Sequence, residues 1–348
     1  MPNISSNSPD HKEICSAECE YSDCHSSGDD LAFNIHLQNL PIHEFFPVGL
    51  TYLTVKTRRK LLEIKGHELN LDGLTRLSSE CAKDLAKCKA NVLSLNGISK
   101  LRANTAAELA IWSGIFLYLN GISRMTAETA ANIATWKGGA LHLNGLKTLN
   151  AETAAKLATW KGDTVLGGTL YLDGLVSLSE KTATNLAKSV CNGLSLNSLI
   201  RLTAKTAKVL ALWKGLGLRL NGMSILRTDA AEQLANWKGD TLELNGLTSL
   251  TAETAARLVT WKGDILELNG LKTLPVDVAS ILATWKGDVL ELNGLKTLSV
   301  DVASILATWK GDYLVLHGLK TVSVEVSAEL AKWNGKSLEI NPPTFWFC

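Results

Sequence analysis

The chain has 348 residues, 20% of them charged, and its 35 basic side chains against 34 acidic ones leave a formal net charge of +1. That balance excludes the concentrated basic excess of a nucleic-acid-binding surface, and no apolar run approaches the roughly 18 residues of a membrane helix. Seven cysteines, an odd number, are scattered at Cys15, Cys19, Cys24, Cys81, Cys88, Cys191 and Cys348; they suit no regular disulfide framework and point to a reducing cytoplasm.

Residues 1–30 are Ser-, Asp- and Cys-bearing and aperiodic, which predicts a disordered tail. The tail has no apolar h-region, so a Sec signal peptide is not expected; secretion by a route that reads no such signal stays open. Cys15, Cys19, Cys24 and His25 have a C-x3-C-x4-C-H spacing that fits no standard zinc motif, so neither a metal nor a cofactor is expected. Residues 31–48 are more apolar and contain Pro41 and Pro47, in the place where a solenoid needs a cap over its first open layer.

From residue 49 to 341 one frame repeats. Its Asn-Gly step falls at Gly97, Gly121, Gly145, Gly222, Gly246, Gly270 and Gly294, while the Gly73 and Gly174 copies carry Asp72 and Asp173 and the Gly318 copy carries His317. Residues 265–288 and 289–312 differ only at Ile265/Val289 and Pro275/Ser299. A fixed period of this kind predicts a solenoid. The L-x-L segment alternates, so it predicts a short strand with both leucines inward. The stretch from T-A-E to W-K has helical spacing, with Thr126, Ser179, Thr203, Thr251, Ser299 and Ser323 placed to cap it. Lys137-Gly138 and Lys262-Gly263 read as helix stops, and the Asn as a residue that tolerates a left-handed turn. Asn-Gly between apolar runs usually announces a hairpin, but here a helical run follows, so neighbouring strands must be parallel.

The strand columns run from Leu69 to Ile340, giving about twelve units. Thr164-Val165-Leu166-Gly167-Gly168 lengthens one unit, and the next has Ser189 in the Trp column, Cys191 in the glycine column and Asn197-Ser198 for Asn-Gly. Residues 163–198 therefore read as an irregular segment inside one array. Residues 342–348, with two prolines and three aromatics, read as a C-terminal cap. Strands stack about 4.8 Å apart and helices about 8–10 Å apart, so the array must curve with its parallel sheet on the concave side.

Leu242-Glu243-Leu244-Asn245-Gly246-Leu247-Thr248-Ser249-Leu250 carries a resemblance. The chain resembles a bacterial-type leucine-rich-repeat protein over roughly residues 49–341, although the Asn follows the second strand leucine directly and not three residues later. The resemblance implies an α/β, right-handed solenoid of strand-turn-helix units.

The columns differ in what they can do. The Asn column reads as a structural ladder, and the Trp column from Trp112 to Trp333 as packing, with an exposed aromatic stripe as the alternative. The Lys column (such as Lys262) and the Asp column (such as Asp264) read as a solvated rim with lateral pairing. The outward residue between the strand leucines varies where every other column repeats, as a binding face should. Its members Tyr118, His142, Tyr171, Arg219, Glu243, Glu267 and Glu291 are the candidate partner-binding residues. The three glutamates repel one another, and Lys272, Lys296 and Lys320 are placed to neutralise them. Gly335-Lys336-Ser337 imitates the end of a phosphate loop, but Leu330 replaces its first glycine. No catalytic constellation emerges. The expectation is a monomeric, non-catalytic scaffold that binds another protein through its concave sheet. The alternative is a secreted or surface-exposed effector or adhesion protein that recognises host molecules.

Overall fold

Each unit folds into a strand, a seven-residue helix and two connecting turns. A computed structural model describes residues 52–54, 58–59, 61–62, 67–163 and 167–340. The expected tail (1–30), both expected caps (31–48 and 342–348) and Cys15, Cys19, Cys24 and His25 lie outside the described residues.

The strands are β1 (Glu68–Asn70), β2 (Val92–Ser94), β3 (Phe116–Tyr118), β4 (Ala140–His142), β5 (Thr169–Tyr171) and β6 (Gly193–Ser195). They continue as β7 (Gly217–Arg219), β8 (Thr241–Glu243), β9 (Ile265–Glu267), β10 (Val289–Glu291), β11 (Tyr313–Leu316) and β12 (Ser337–Ile340). All twelve form one sheet in sequence order, and every pair is parallel, with leucine beside leucine as in Leu117↔Leu141↔Leu170. Parallel pairing is forced because a helix returns the chain to the same end each time. The β4–β5 pair across the five-residue extension and the β5–β6 pair after it keep leucine beside leucine.

Both strand leucines face inward, as Leu117 and Leu119 show with no exposed surface. The helices run from α1 (Ser79–Leu85) to α11 (Val324–Leu330). Thr126, Ser179, Thr203, Thr251, Ser299 and Ser323 all accept a backbone N–H at the N-cap. Pro275 lacks a side chain that can cap, which is the one structural difference of note between the twin units.

Two local expectations fail. The helix was expected to reach the Trp-Lys pair; the one that begins at Ala127 ends at Ile133, with Ala134 as its C-cap. Trp136 N–H then bonds to Ile133 O at 3.0 Å, an i→i−3 turn that leads the chain away from the helix axis. Gly138 is therefore not a helix stop, and the only positive-φ residues among those described are Gly162 and Gly167. Its glycine is required because a Cβ would lie 1.9 Å from Cζ2 of Trp136. The Asn-Gly step is not left-handed either: a Cβ on Gly121 would lie 2.0 Å from the Asn96 carbonyl of the unit before. Apart from Gly162, whose φ is positive, both glycine columns serve close approach and not backbone freedom.

The indoles form a buried ladder. Trp112 to Trp309 are at most 2% exposed and Trp333 is 8% exposed, which eliminates the exposed-stripe alternative. Neighbouring rings lie 5.8 to 6.1 Å apart and within 8° of parallel. Several Nε1 groups donate to the preceding Trp carbonyl, as Trp136 does to Trp112 at 2.9 Å. On the other side of the sheet the Tyr118, His142 and Tyr171 rings are only 4.1 and 4.0 Å apart. Side chains thus converge over one face and spread on the other, around a strand spacing of about 4.8 Å. The sheet is concave.

Candidate functional site

Strand pleating places three side chains per unit on the concave face. The middle one is the variable residue; the third is the Asn column, just past the strand. The first, two residues before the middle one, was missed in the sequence. Period two alone assigns Phe116, Thr169, Gly217, Ile265 and Tyr313 to this face, and they vary as freely as the middle column.

The Asn column is a ladder as expected. Asn120 Oδ1 accepts the backbone N–H of Asn144 at 3.0 Å, Asn245 Oδ1 that of Asn269 at 3.0 Å, and Asn293 Oδ1 that of His317 at 2.8 Å. Each amide satisfies the orphan donor of the next turn. Its remaining NH2 reaches the middle column: Asn221, Asn245 and Asn269 donate to Glu243, Glu267 and Glu291 at 2.9, 2.8 and 2.9 Å. Where the ladder residue is an acceptor, the middle residue becomes a donor. Ser94 Oγ donates to Asp72 at 2.6 Å, and Ser195 Oγ to Asp173 at 2.5 Å. These pairs tie part of the variable middle column to the ladder residue of the unit before, and Ser94 and Ser195 are buried.

All seven candidate residues are brought into one continuous row. His142 is sandwiched between Tyr118 and Tyr171, at interplanar angles of 17° and 8°. The Arg219 guanidinium carbon lies 5.8 Å from the centre of the Tyr171 ring, reaching across β6 and roofing Ser195, which has no exposed surface. Arg219 Nε also pairs with Glu243 at 2.6 Å. The row then continues as Glu267 and Glu291 in direct register. Aromatic and acidic halves meet at one arginine.

Among the described residues, the ion pair that reaches this acidic half comes from Arg219, not from Lys272, Lys296 or Lys320. The Asn amides supply the rest, because they sit at the strand ends while those lysines point to solvent one turn further on. On the rim, Lys336 pairs with Asp312 at 2.6 Å, while among the described residues no ion pair joins Lys262, Lys286 or Lys310 to Asp240, Asp264 or Asp288.

Burial pushes the Glu267 carboxyl up, reinforced by Glu243 and Glu291 and opposed by the Asn245 hydrogen bond and Arg219. Burial between the tyrosines lowers His142 to about 4, against a smaller opposing pull from Asp173. The imidazole is therefore neutral at neutral pH. Between pH 6.5 and 4 the unfolded chain takes up this proton and the folded chain does not. Stability falls across that window by on the order of 2 kcal/mol after allowance for partial exposure. His142→Phe should flatten that part of a denaturation-midpoint-against-pH curve, and an NMR titration should place the wild-type imidazole well below 6.5.

Among the described residues no group of three or more His, Cys, Asp or Glu is arranged to hold a metal ion, and no helix is long and apolar enough to cross a membrane.

No family model and no curated protein matches the chain. Solved structures do resemble it. The leucine-rich repeat-containing protein LegL7 from Legionella pneumophila is similar at a TM-score of 0.51 and 16% identity, over 75% of this chain and 96% of that one. An internalin (inlF) from Listeria monocytogenes gives a TM-score of 0.45 and 15% identity, over 82% of this chain and 84% of that one. The Drosophila Toll–Spatzle complex gives 0.49 and 17%, over 84% of this chain but 38% of that one. Twelve parallel strands in sequence order, each returned by a short helix, together with the likeness to LegL7, give this chain the α/β solenoid fold of leucine-rich-repeat proteins.

Proposed function

We propose that the protein is a non-catalytic scaffold that binds another protein through its concave sheet, along the row from Tyr118 to Glu291. The observation that carries this reading is the continuity of Tyr118, His142, Tyr171 and Arg219 on the solvent side of a scaffold that needs none of them for its core. Stacking fixes the three rings in advance, so little side-chain freedom is lost when a partner covers them. Arg219 is itself held in place, with its Nε paired to Glu243 at 2.6 Å. Tyrosine and arginine are the residue types that most often dominate interface energetics.

Replacing Tyr118, His142, Tyr171 and Arg219 together by Ala should leave the circular-dichroism spectrum unchanged. Losing several anchors of 1–2 kcal/mol each should weaken partner capture by about 100-fold or more. A pull-down profile identical to that of the wild type sinks this reading.

A further inference from the structure

The acidic half of the row ends at a groove of different character. At β11 the middle column holds Val315 where β8, β9 and β10 hold glutamate and β12 holds Glu339. Register places Val315 directly between Glu291 and Glu339. The short side chain lowers the floor and leaves an open groove of about 410 Å³, lined by Val289, Tyr313, Val315, Glu291, Glu339 and His317 together with Asn293.

Its chemistry is divided. Val315 forms an apolar floor, 7% exposed, with Val289 beside it and the half-exposed Tyr313 ring as a wall. The two carboxylates stand on either side of that floor, two strand spacings or about 9.6 Å apart at their backbones. Both are oriented from within the fold: Glu291 accepts from Asn269 at 2.9 Å and from Asn293 at 3.4 Å, and Glu339 lies 3.2 Å from His317 Nε2. No lysine or arginine of the chain forms an ion pair with either carboxylate among the described residues.

We infer that this groove is a binding site for a cationic side chain of a partner polypeptide, an arginine or lysine whose alkyl stem lies on Val315 and Tyr313 and whose head bridges Glu291 and Glu339. Long basic side chains match such a site because stem and head are solvated differently: the stem gains from apolar contact while the head keeps charge-assisted hydrogen bonds. An acidic ligand is repelled by the two carboxylates. A purely apolar ligand leaves them desolvated without a partner.

The site is separate from the Tyr118–Arg219 end of the row, so the two can fail independently. The test is an NMR titration of the full chain with n-butylguanidinium, against neutral, near-isosteric n-butylurea, read at the methyl groups of Val289 and Val315. The expected result is a saturable shift for the cation in the millimolar range, weakened severalfold by high salt, and no saturable shift for the urea. Val315→Lys places a tethered ammonium between the two carboxylates in the same register and should abolish the response. Glu291→Gln/Glu339→Gln should abolish it with the core untouched, which covers the case in which Val315→Lys disturbs folding. The Tyr118/His142/Tyr171/Arg219 alanine variant should respond as the wild type does. No response to the cation, an equal response to the urea, or persistence in the double glutamine variant overturns the assignment.

Discussion

Trp261→Ser should destabilise the array by about 3–5 kcal/mol, the range for removing a large aromatic from a packed interior, and Gly263→Cys alone should destabilise it by about 1–3 kcal/mol through overpacking. Together the two should cost less than their sum. Trp261 is 1% exposed and its ring contacts the indoles on both sides. A Cβ on Gly263 would lie 1.9 Å from its Cζ2, so the glycine exists to admit the ring. The chain contains the double replacement already. Ser189 takes the Trp position and Cys191 the glycine position, where its thiol lies 3.1 Å from Ser189 Oγ and 3.3 Å from Gly193 O, fully buried. Cys88 and Ala90 repeat the pattern near the start of the array, both buried. Denaturant midpoints of the four chains should give a favourable coupling of about 1–2 kcal/mol. Additive effects would show that the indole and the glycine are not matched.

Asn245→Asp should destabilise by about 2–3 kcal/mol, and Glu267→Ser in the same chain should recover most of that loss. The aspartate keeps the carbonyl-type oxygen that accepts from Asn269 N–H at 3.0 Å, so the ladder itself survives. It loses the amide that donates to Glu267 at 2.8 Å and puts a second carboxylate there. Glu267 already has its carboxyl pushed up by burial and by Glu243 and Glu291, so a further negative charge cannot be accommodated without proton uptake or displacement. Serine reverses the polarity, as Ser195 does toward Asp173 and Ser94 toward Asp72. Thermal melts at neutral pH compare the four chains. A double variant no more stable than Asn245→Asp would refute the donor–acceptor matching. Acidification toward the carboxylate range should shrink the penalty of the single variant, since protonation restores a donor between the two groups.

Both pairings were present in the sequence as correlated columns. The two aspartates of the ladder, Asp72 and Asp173, are each followed 22 residues later by serine, Ser94 and Ser195. Of the three departures from tryptophan, Cys88 and Ser189 are accompanied by loss of the glycine two residues on, whereas Ile64 of the first unit is followed by Gly66. Reading one column at a time hides this. Viewed alone, the middle column looks free to vary, and half of it is in fact tied to the unit before. The glycines were misassigned for a related reason. Gly after Lys, and Gly after Asn, match local turn signals, whereas the atoms that require them belong to an indole two residues back and to a carbonyl of the neighbouring unit.

The sequence by itself determined the period, the strand and helix of each unit, the capping residues and the parallel order of the sheet. These follow from hydrophobic spacing and local hydrogen bonding within one unit, repeated. Only the tertiary structure decided what the units do to one another. It ended the helices before the tryptophans, and it stacked His142 between two tyrosines. It carried Arg219 across β6 to join the aromatic and acidic halves, and opened the groove above Val315. These features arise between side chains about 24 residues apart in sequence but about 4.8 Å apart in space, a contact that no window along the chain contains.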